Sequence, residues 1–258
     1  MSRQIDIHEY DRLYGNARNG VARADISEAN KTVILKFDKA CGLENLSLSR
    51  RIRILRTLVM MAKMLDREFE KATKDHLQNL VVRIDENAEW EPSTKHTHKA
   101  ILKKFCKWLK YGDDYKTVQG YPKEIAWLRV TIKGKDKPKV KAADILTEQE
   151  IDSLLKAAEH PRDKAFIAML YELGARIGEI GGLRIKNVSR DEYSFIVDLK
   201  GKTGHRTPRI VMSDPYLSAW LNAHPLKDDP NAPLWTLLGD RNKNEKMLYR
   251  HSVPSCLG

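Results

Sequence analysis

The sequence predicts a mainly α-helical fold with one small β-hairpin, of the α+β class, divided into a helical domain over residues 1–112, a basic linker over 113–143 and a second domain over 144–258. Three observations predict it. Apolar residues recur at helical spacing through most of the chain. One short segment alternates apolar and polar residues ahead of a glycine-flanked turn. The stretch between the halves is punctuated by Gly112, Gly120, Pro122, Gly134 and Pro138. A chain of 258 residues, 41% of them hydrophobic, can fill two ordinary cores.

From the N-terminus, Met1 to about Gly20 has weak periodicity and reads as a partly ordered lead-in. A helix begins after Ser27, with Val33, Ile34, Phe37 and Ala40 facing inward and Gly42 as a cap past its end. A second starts near Ser47 or Ser49 and runs through Ile52, Leu55, Val59 and Met60 to Leu65, carrying Arg50, Arg51, Arg53 and Arg56 around its first turns. Cations at a helix start oppose its dipole, which points either to a bound phosphate or to plain solvation. A third helix follows Thr73 and buries Leu77, Leu80, Val81 and Ile84. The fourth, after Pro92, has an apolar face of Ile101, Leu102, Phe105, Trp108 and Leu109, while Lys95, Lys99, Lys103 and Lys107 recur every fourth residue along another. One face packs and the other is expected to present ammonium groups in a row. His96 and His98 read as exposed polar residues.

The second half opens on Thr147-Glu148-Gln149-Glu150, a capping box, with Ile151, Leu154, Leu155 and Ala158 facing a core. Pro161 to Leu173 reads as a helix stopped by Gly174, so a new short helix can begin at about Arg176. A helix start with a guanidinium offers an anion a place to bind. Arg176 therefore has two readings: a phosphodiester clamp, or a surface ion pair with Glu179 one turn on. Tyr193 to Leu199 is a short strand, Gly201-Lys202-Thr203-Gly204-His205 a turn with Lys202 at its tip, and Ile210-Val211-Met212 the partner strand. Pro215 to Ala223 is a last short helix.

A net charge of +11 and a pI near 9.4 suggest an anionic partner. Between Glu91 and Lys141 there are 14 Lys and Arg against 5 Asp and Glu, so a net +9 lies in about a fifth of the chain. Five lysines from Lys133 to Lys141 make the linker a segment that could track a phosphate backbone. Cys41, Cys106 and Cys256 match no C-x-x-C pattern and are expected to be reduced thiols, without zinc or a structural disulfide. No run resembles a transmembrane span or a signal peptide, so a soluble, cytoplasmic protein is expected. No Walker-type glycine loop or carboxylate cluster calls for a nucleotide or a metal, and no cofactor is expected.

The run Ala175-Arg176-Ile177-Gly178-Glu179-Ile180, followed 26 positions later by the hairpin Lys202, resembles the tyrosine recombinase (phage integrase) family, and Leu146-Thr147-Glu148 resembles the opening of that family's catalytic domain. The resemblance implies a four-helix, SAM-like core-binding domain followed by a catalytic domain that breaks and rejoins DNA through a 3′-phosphotyrosine, as in DNA integration by mobile elements. It implies duplex DNA and other recombinase protomers as partners. Arg176 would clamp the phosphate, Lys202 would protonate the leaving 5′ oxygen, and Glu179 would buttress Arg176. Lys95, Lys99, Lys103, Lys107, Arg50, Arg51, Lys133, Lys135 and Arg206 are the candidate DNA contacts. The family pattern also has an H-x-x-R box and a late tyrosine. No histidine here is followed three residues later by arginine, and Tyr249 precedes Arg250 and His251 in the wrong order. The chain therefore reads as an incomplete catalytic domain, inactive alone. The alternative is a non-catalytic DNA-binding remnant or regulator that competes for recombination sites. A basic helical RNA-binding protein is a third reading, without an RNP-type aromatic strand or a KH-type loop to support it.

Overall fold

The computed structural model describes residues 7–132, 144–201 and 204–236, and the chain divides into two compact units, Glu9–Lys139 and Val140–Gly258 with Met1–His8. The mainly helical α+β class holds.

Among the described residues the first unit has five α-helices: α1 (Tyr10–Arg23), α2 (Glu28–Leu43), α3 (Leu48–Leu65), α4 (Lys74–Glu86) and α5 (Pro92–Tyr111). Ser27 starts α2 by accepting from Asn30 N–H at 3.2 Å, and Thr73 starts α4 in a reciprocal box with His76. The apolar face of α5 is core, as its spacing predicts. Phe105 and Trp108 meet Phe37 of α2 at ring separations of 5.2 and 5.0 Å.

Three expectations for this unit are corrected. Residues 10–23, read as part lead-in, form α1. Glu9 offers it no side-chain cap, and Gly15 and Gly20 lower its propensity, so packing sustains it, through buried Ala17 and Val21 and through Tyr14. Gly42 lies inside α2 rather than past its end. A Cβ there would come within 3.0 Å of the Arg51 guanidinium, so glycine lets that group approach the helix. Residues 113–132, expected as linker, pack on the helical unit: Tyr115, Ile125 and Leu128 are buried in its core. Their anchors are scattered among Gly and Pro, which hid the pattern.

The second unit contains α6 (Glu148–Ala157), α7 (Pro161–Leu173), α8 (Ile177–Gly181) and α9 (Asp214–Ala223), with strands β1 (Val188–Arg190), β2 (Phe195–Val197), β3 (Leu199–Gly201) and β4 (Gly204–Arg206). The Thr147 box forms as predicted, with Glu150 N–H on Thr147 Oγ1 at 3.3 Å and Thr147 N–H on Glu150 Oε2 at 2.7 Å. The sheet expectation is corrected. The segment read as one strand is split between two ladders, β1 with β2 and β3 with β4. Ile210 donates to Phe195 O at 3.0 Å and accepts from the Ser194 hydroxyl, Arg209 makes an isolated bridge with Ile196, and Val211 and Met212 are exposed. What turns the chain at Val211 is Glu172 of α7, whose carboxylate accepts from the N–H groups of Val211, Met212 and Ser213 just before α9. Burial pushes that carboxyl up, and these donors, with the Ser213 hydroxyl, outweigh it and hold it below the usual range.

Two tryptophans fix the small helix that carries the site. Trp235 donates to Ile180 O at 2.7 Å while packing edge-on against Phe166, and Trp220 donates to Leu234 O at 2.7 Å. Among the described residues no helix is long and apolar enough to cross a membrane.

Candidate functional site

Arg176 is the residue before α8, where the αL backbone of Gly174 ends α7 and turns the chain. With only five residues, α8 contributes little dipole, and the Arg176 N–H is taken by Glu179 Oε2 at 3.2 Å. The charge offered to an anion is therefore that of the guanidinium, not of the helix end. Arg176 Nη1 donates to Glu179 Oε1 at 2.9 Å, yet the arginine side chain is 60% exposed while that of Glu179 is 10% exposed. Both sequence readings of Arg176 thus coexist: it is paired, and it still faces solvent. The Arg176 hydrogen bond holds the Glu179 carboxyl below the usual range, with the Arg206 charge adding to it, so Glu179 stays ionised.

The β3–β4 ladder closes the other side. Gly201 faces the carboxylate so closely that a Cβ there would lie 2.0 Å from Glu179 Oε1. Gly204 has φ +124°, a backbone that side chains rarely adopt. Arg206 donates to Leu173 O at 3.1 Å and lies 3.8 Å from Glu179 Oε2. Gly174, Arg176, Glu179, Leu199, Gly201, Gly204, His205 and Arg206 line a cavity of about 440 Å³. Lys202, between the two glycines in sequence, lies outside the described residues, as do Lys133, Lys135 and Tyr249. Gly201→Ala is expected to lower the melting temperature of this unit, because the new methyl overlaps a carboxylate already pinned by Arg176. Overpacking of this kind costs about 1–3 kcal/mol, and an unchanged melting curve would show that the carboxylate swings aside freely.

The lysine row on α5 is not a row of free ammonium groups. Lys95 Nζ donates to Asp85 O at 2.8 Å, and Lys99 to Asp85 Oδ1 at 2.7 Å. Lys103 donates to Leu128 O at 2.5 Å and Lys107 to Val118 O at 2.7 Å, both over the Tyr121 ring. The four tie α5 to the end of α4 and to the segment after α5. Four-residue spacing cannot reveal that backbone carbonyls lie opposite. Arg51 is likewise engaged within the fold. It pairs through Nε with Asp38 Oδ1 and through Nη2 with Asp38 Oδ2, both at 2.9 Å, and sits over the Tyr14 ring. Its partner lies 13 residues back, beyond what helical spacing shows. Arg50, by contrast, is exposed, as are Arg53 and Arg56, and none of the three makes a hydrogen bond or ion pair among the described residues. His98 is half-buried against Trp90 rather than exposed, and burial, then the Arg53 charge, pushes it down. Among the described residues no cluster of three or more His, Cys, Asp or Glu could hold a metal.

Two guanidiniums around a buried carboxylate, beside a glycine-lined hairpin, suit a phosphodiester. Residues 144–249 match the family model described as Phage integrase family, so this part of the chain is similar to that family. Tyrosine recombinase XerA of Pyrococcus horikoshii is 28% identical over 102 residues, covering 40% of this chain and 35% of that protein, so the alignment spans about a third of the relative's length. The crystal structure of a lambda integrase dimer bound to a COC′ core site is similar in fold, with TM-score 0.59 at 11% identity over 86% of this chain and 59% of that one. XerH site-specific recombinase bound to difH substrate, in a pre-cleavage complex, gives 0.55 at 14% identity over 97% and 78%.

Proposed function

We propose that this chain binds duplex DNA as a site-specific recombinase does, receiving a phosphodiester in the Arg176 cavity, and that its 258 residues hold the strand without cutting it. The observation that carries this reading is Arg176, which is pinned by ionised Glu179 yet has a 60% exposed side chain and lines the cavity. The planar fork of the Arg176 guanidinium matches two phosphate oxygens. Glu179 positions that fork. Lys202, between Gly201 and Gly204 in sequence, would supply the proton for the leaving 5′ oxygen in a recombinase that cuts the strand, a step this chain alone does not take. The lack of any H-x-x-R pattern in these residues favours binding over catalysis. Acting on recombination sites beside other protomers, in the cytoplasm at the nucleoid, follows from the same reading.

The helical unit adds phosphate contacts through Arg50, Arg53 and Arg56, whose charges are uncommitted, while Lys95, Lys99, Lys103 and Lys107 act chiefly as struts. Arg50→Gln, Arg53→Gln and Arg56→Gln together are expected to lower the slope of log K against log salt for a duplex by roughly 2–3 units. The corresponding change of all four lysines to Gln is expected to alter the slope by less than about one unit and to lower the melting temperature. The reverse ranking of slopes would return the lysines to the DNA surface and remove the arginines from it.

A further inference from the structure

We propose that Arg206 is a second phosphate-positioning residue of the cavity, acting with Arg176 on one and the same phosphodiester. This rests on the reading of the cavity as a DNA phosphate site. The strand register carries the argument. Leu199 pairs with Arg206 and Gly201 with Gly204, so these four positions share one face of the ladder. That face is the inner one, since Leu199 is buried and Gly201 abuts Glu179. Lys200 and His205 take the opposite face, where His205 meets Asp198. Arg206 therefore enters the cavity from the hairpin side while Arg176 enters from α8.

Both side chains are held without being used up. Arg206 Nη2 donates to Leu173 O at 3.1 Å and points to Glu179 Oε2, while Arg176 Nη1 takes Glu179 Oε1. A guanidinium has five N–H donors, so each keeps a free edge, and the side chains are 50% and 60% exposed. Two cations against one carboxylate leave the cavity a surplus positive charge. A half-exposed pair at 3.8 Å adds little stability by itself. The arrangement instead orients two forks, hinged on the two oxygens of one carboxylate, toward a common anion, and a diester phosphate offers two non-bridging oxygens for them.

The test is equilibrium binding of the full chain to a short labelled duplex over a range of salt, for Arg176→Gln, Arg206→Gln, Arg206→Lys and the double Gln variant, with melting temperatures measured alongside. Each single Gln change is expected to weaken binding by about ten- to a hundredfold, the scale of one hydrogen bond to a charged group. The double variant is expected to lose less than the product of the singles, with the salt slope falling by about one unit in total, because one phosphate is released. Arg206→Lys, which keeps the charge but not the fork, is expected to fall between wild type and Arg206→Gln, and it serves as the test if Arg206→Gln does not fold. Wild-type affinity in both Arg206 variants, with Arg176→Gln weakened, would overturn this inference and leave the proposed function standing. Strictly multiplicative losses with a slope change near two units would place the arginines on separate phosphates, also against it. Wild-type affinity in Arg176→Gln as well would overturn the reading of the cavity itself.

Discussion

On a nicked suicide duplex, which traps any exchange of a protein hydroxyl for a DNA phosphodiester, the 258-residue chain is expected to leave no slow-migrating band on a denaturing gel. Cleavage by this route needs a nucleophile in line with the scissile bond and preorganised donors on the phosphate oxygens. The cavity offers Arg176 and, by the inference above, Arg206, but no histidine in the chain is followed three residues later by arginine. Loss of one preorganised donor to a developing oxyanion typically costs about 10²–10³ in rate, and loss of the nucleophile removes turnover. A band that forms with this chain and disappears in Tyr249→Phe would refute the non-catalytic reading. A band that survives Tyr249→Phe would point to another nucleophile and refute it equally.

Asp38→Ala is expected to be the most damaging single substitution in the helical unit. Asp38 is 1% exposed and accepts from Arg51 at 2.9 Å through each of its oxygens and from Tyr14 at 2.6 Å, so it joins α1, α2 and α3. The same cluster shows in Tyr14, whose hydroxyl is pushed up by burial and then by the Asp38 carboxylate. Removing one partner of a buried pair strands the other charge, at about 3–5 kcal/mol. For a unit of this size that is a drop of roughly 10 °C or more in melting temperature. Asp38→Ala combined with Arg51→Met is expected to recover part of the loss, because no charge is then left uncompensated. A shift of about 2 °C or less in Asp38→Ala would mean that α1 is held by its apolar contacts alone.

Local signals were legible and distant ones were not. Ser27, Thr73 and Thr147 announce helix starts because a cap and its partner lie within three residues, and the apolar faces of α2, α4 and α5 follow from period alone. Arg176 and Glu179 are legible as a pair for the same reason. α1 was missed because its few apolar contacts become visible only against α3. The Arg51–Asp38 pair was missed because its members lie on different helices. The ladders were hidden by strands of three residues, too short for alternation to register. The cavity depends on register: Arg206 reads as one more basic residue until its pairing with Leu199 puts it on the face that meets Glu179. The lysine row shows the opposite error, a regular pattern whose partners come from other parts of the chain.

The central claim is that the partner of this chain is duplex DNA, held by its phosphates. The most direct measurement is the affinity of the chain for a duplex and for a single-stranded RNA of equal length, over rising salt and in the presence of EDTA. The account predicts tighter binding to the duplex, unaffected by the chelator. It also predicts that log K falls linearly with log salt, losing roughly a hundredfold between 50 and 200 mM, as about four phosphate contacts require. Binding that is indifferent to salt, or that favours the RNA, would contradict it.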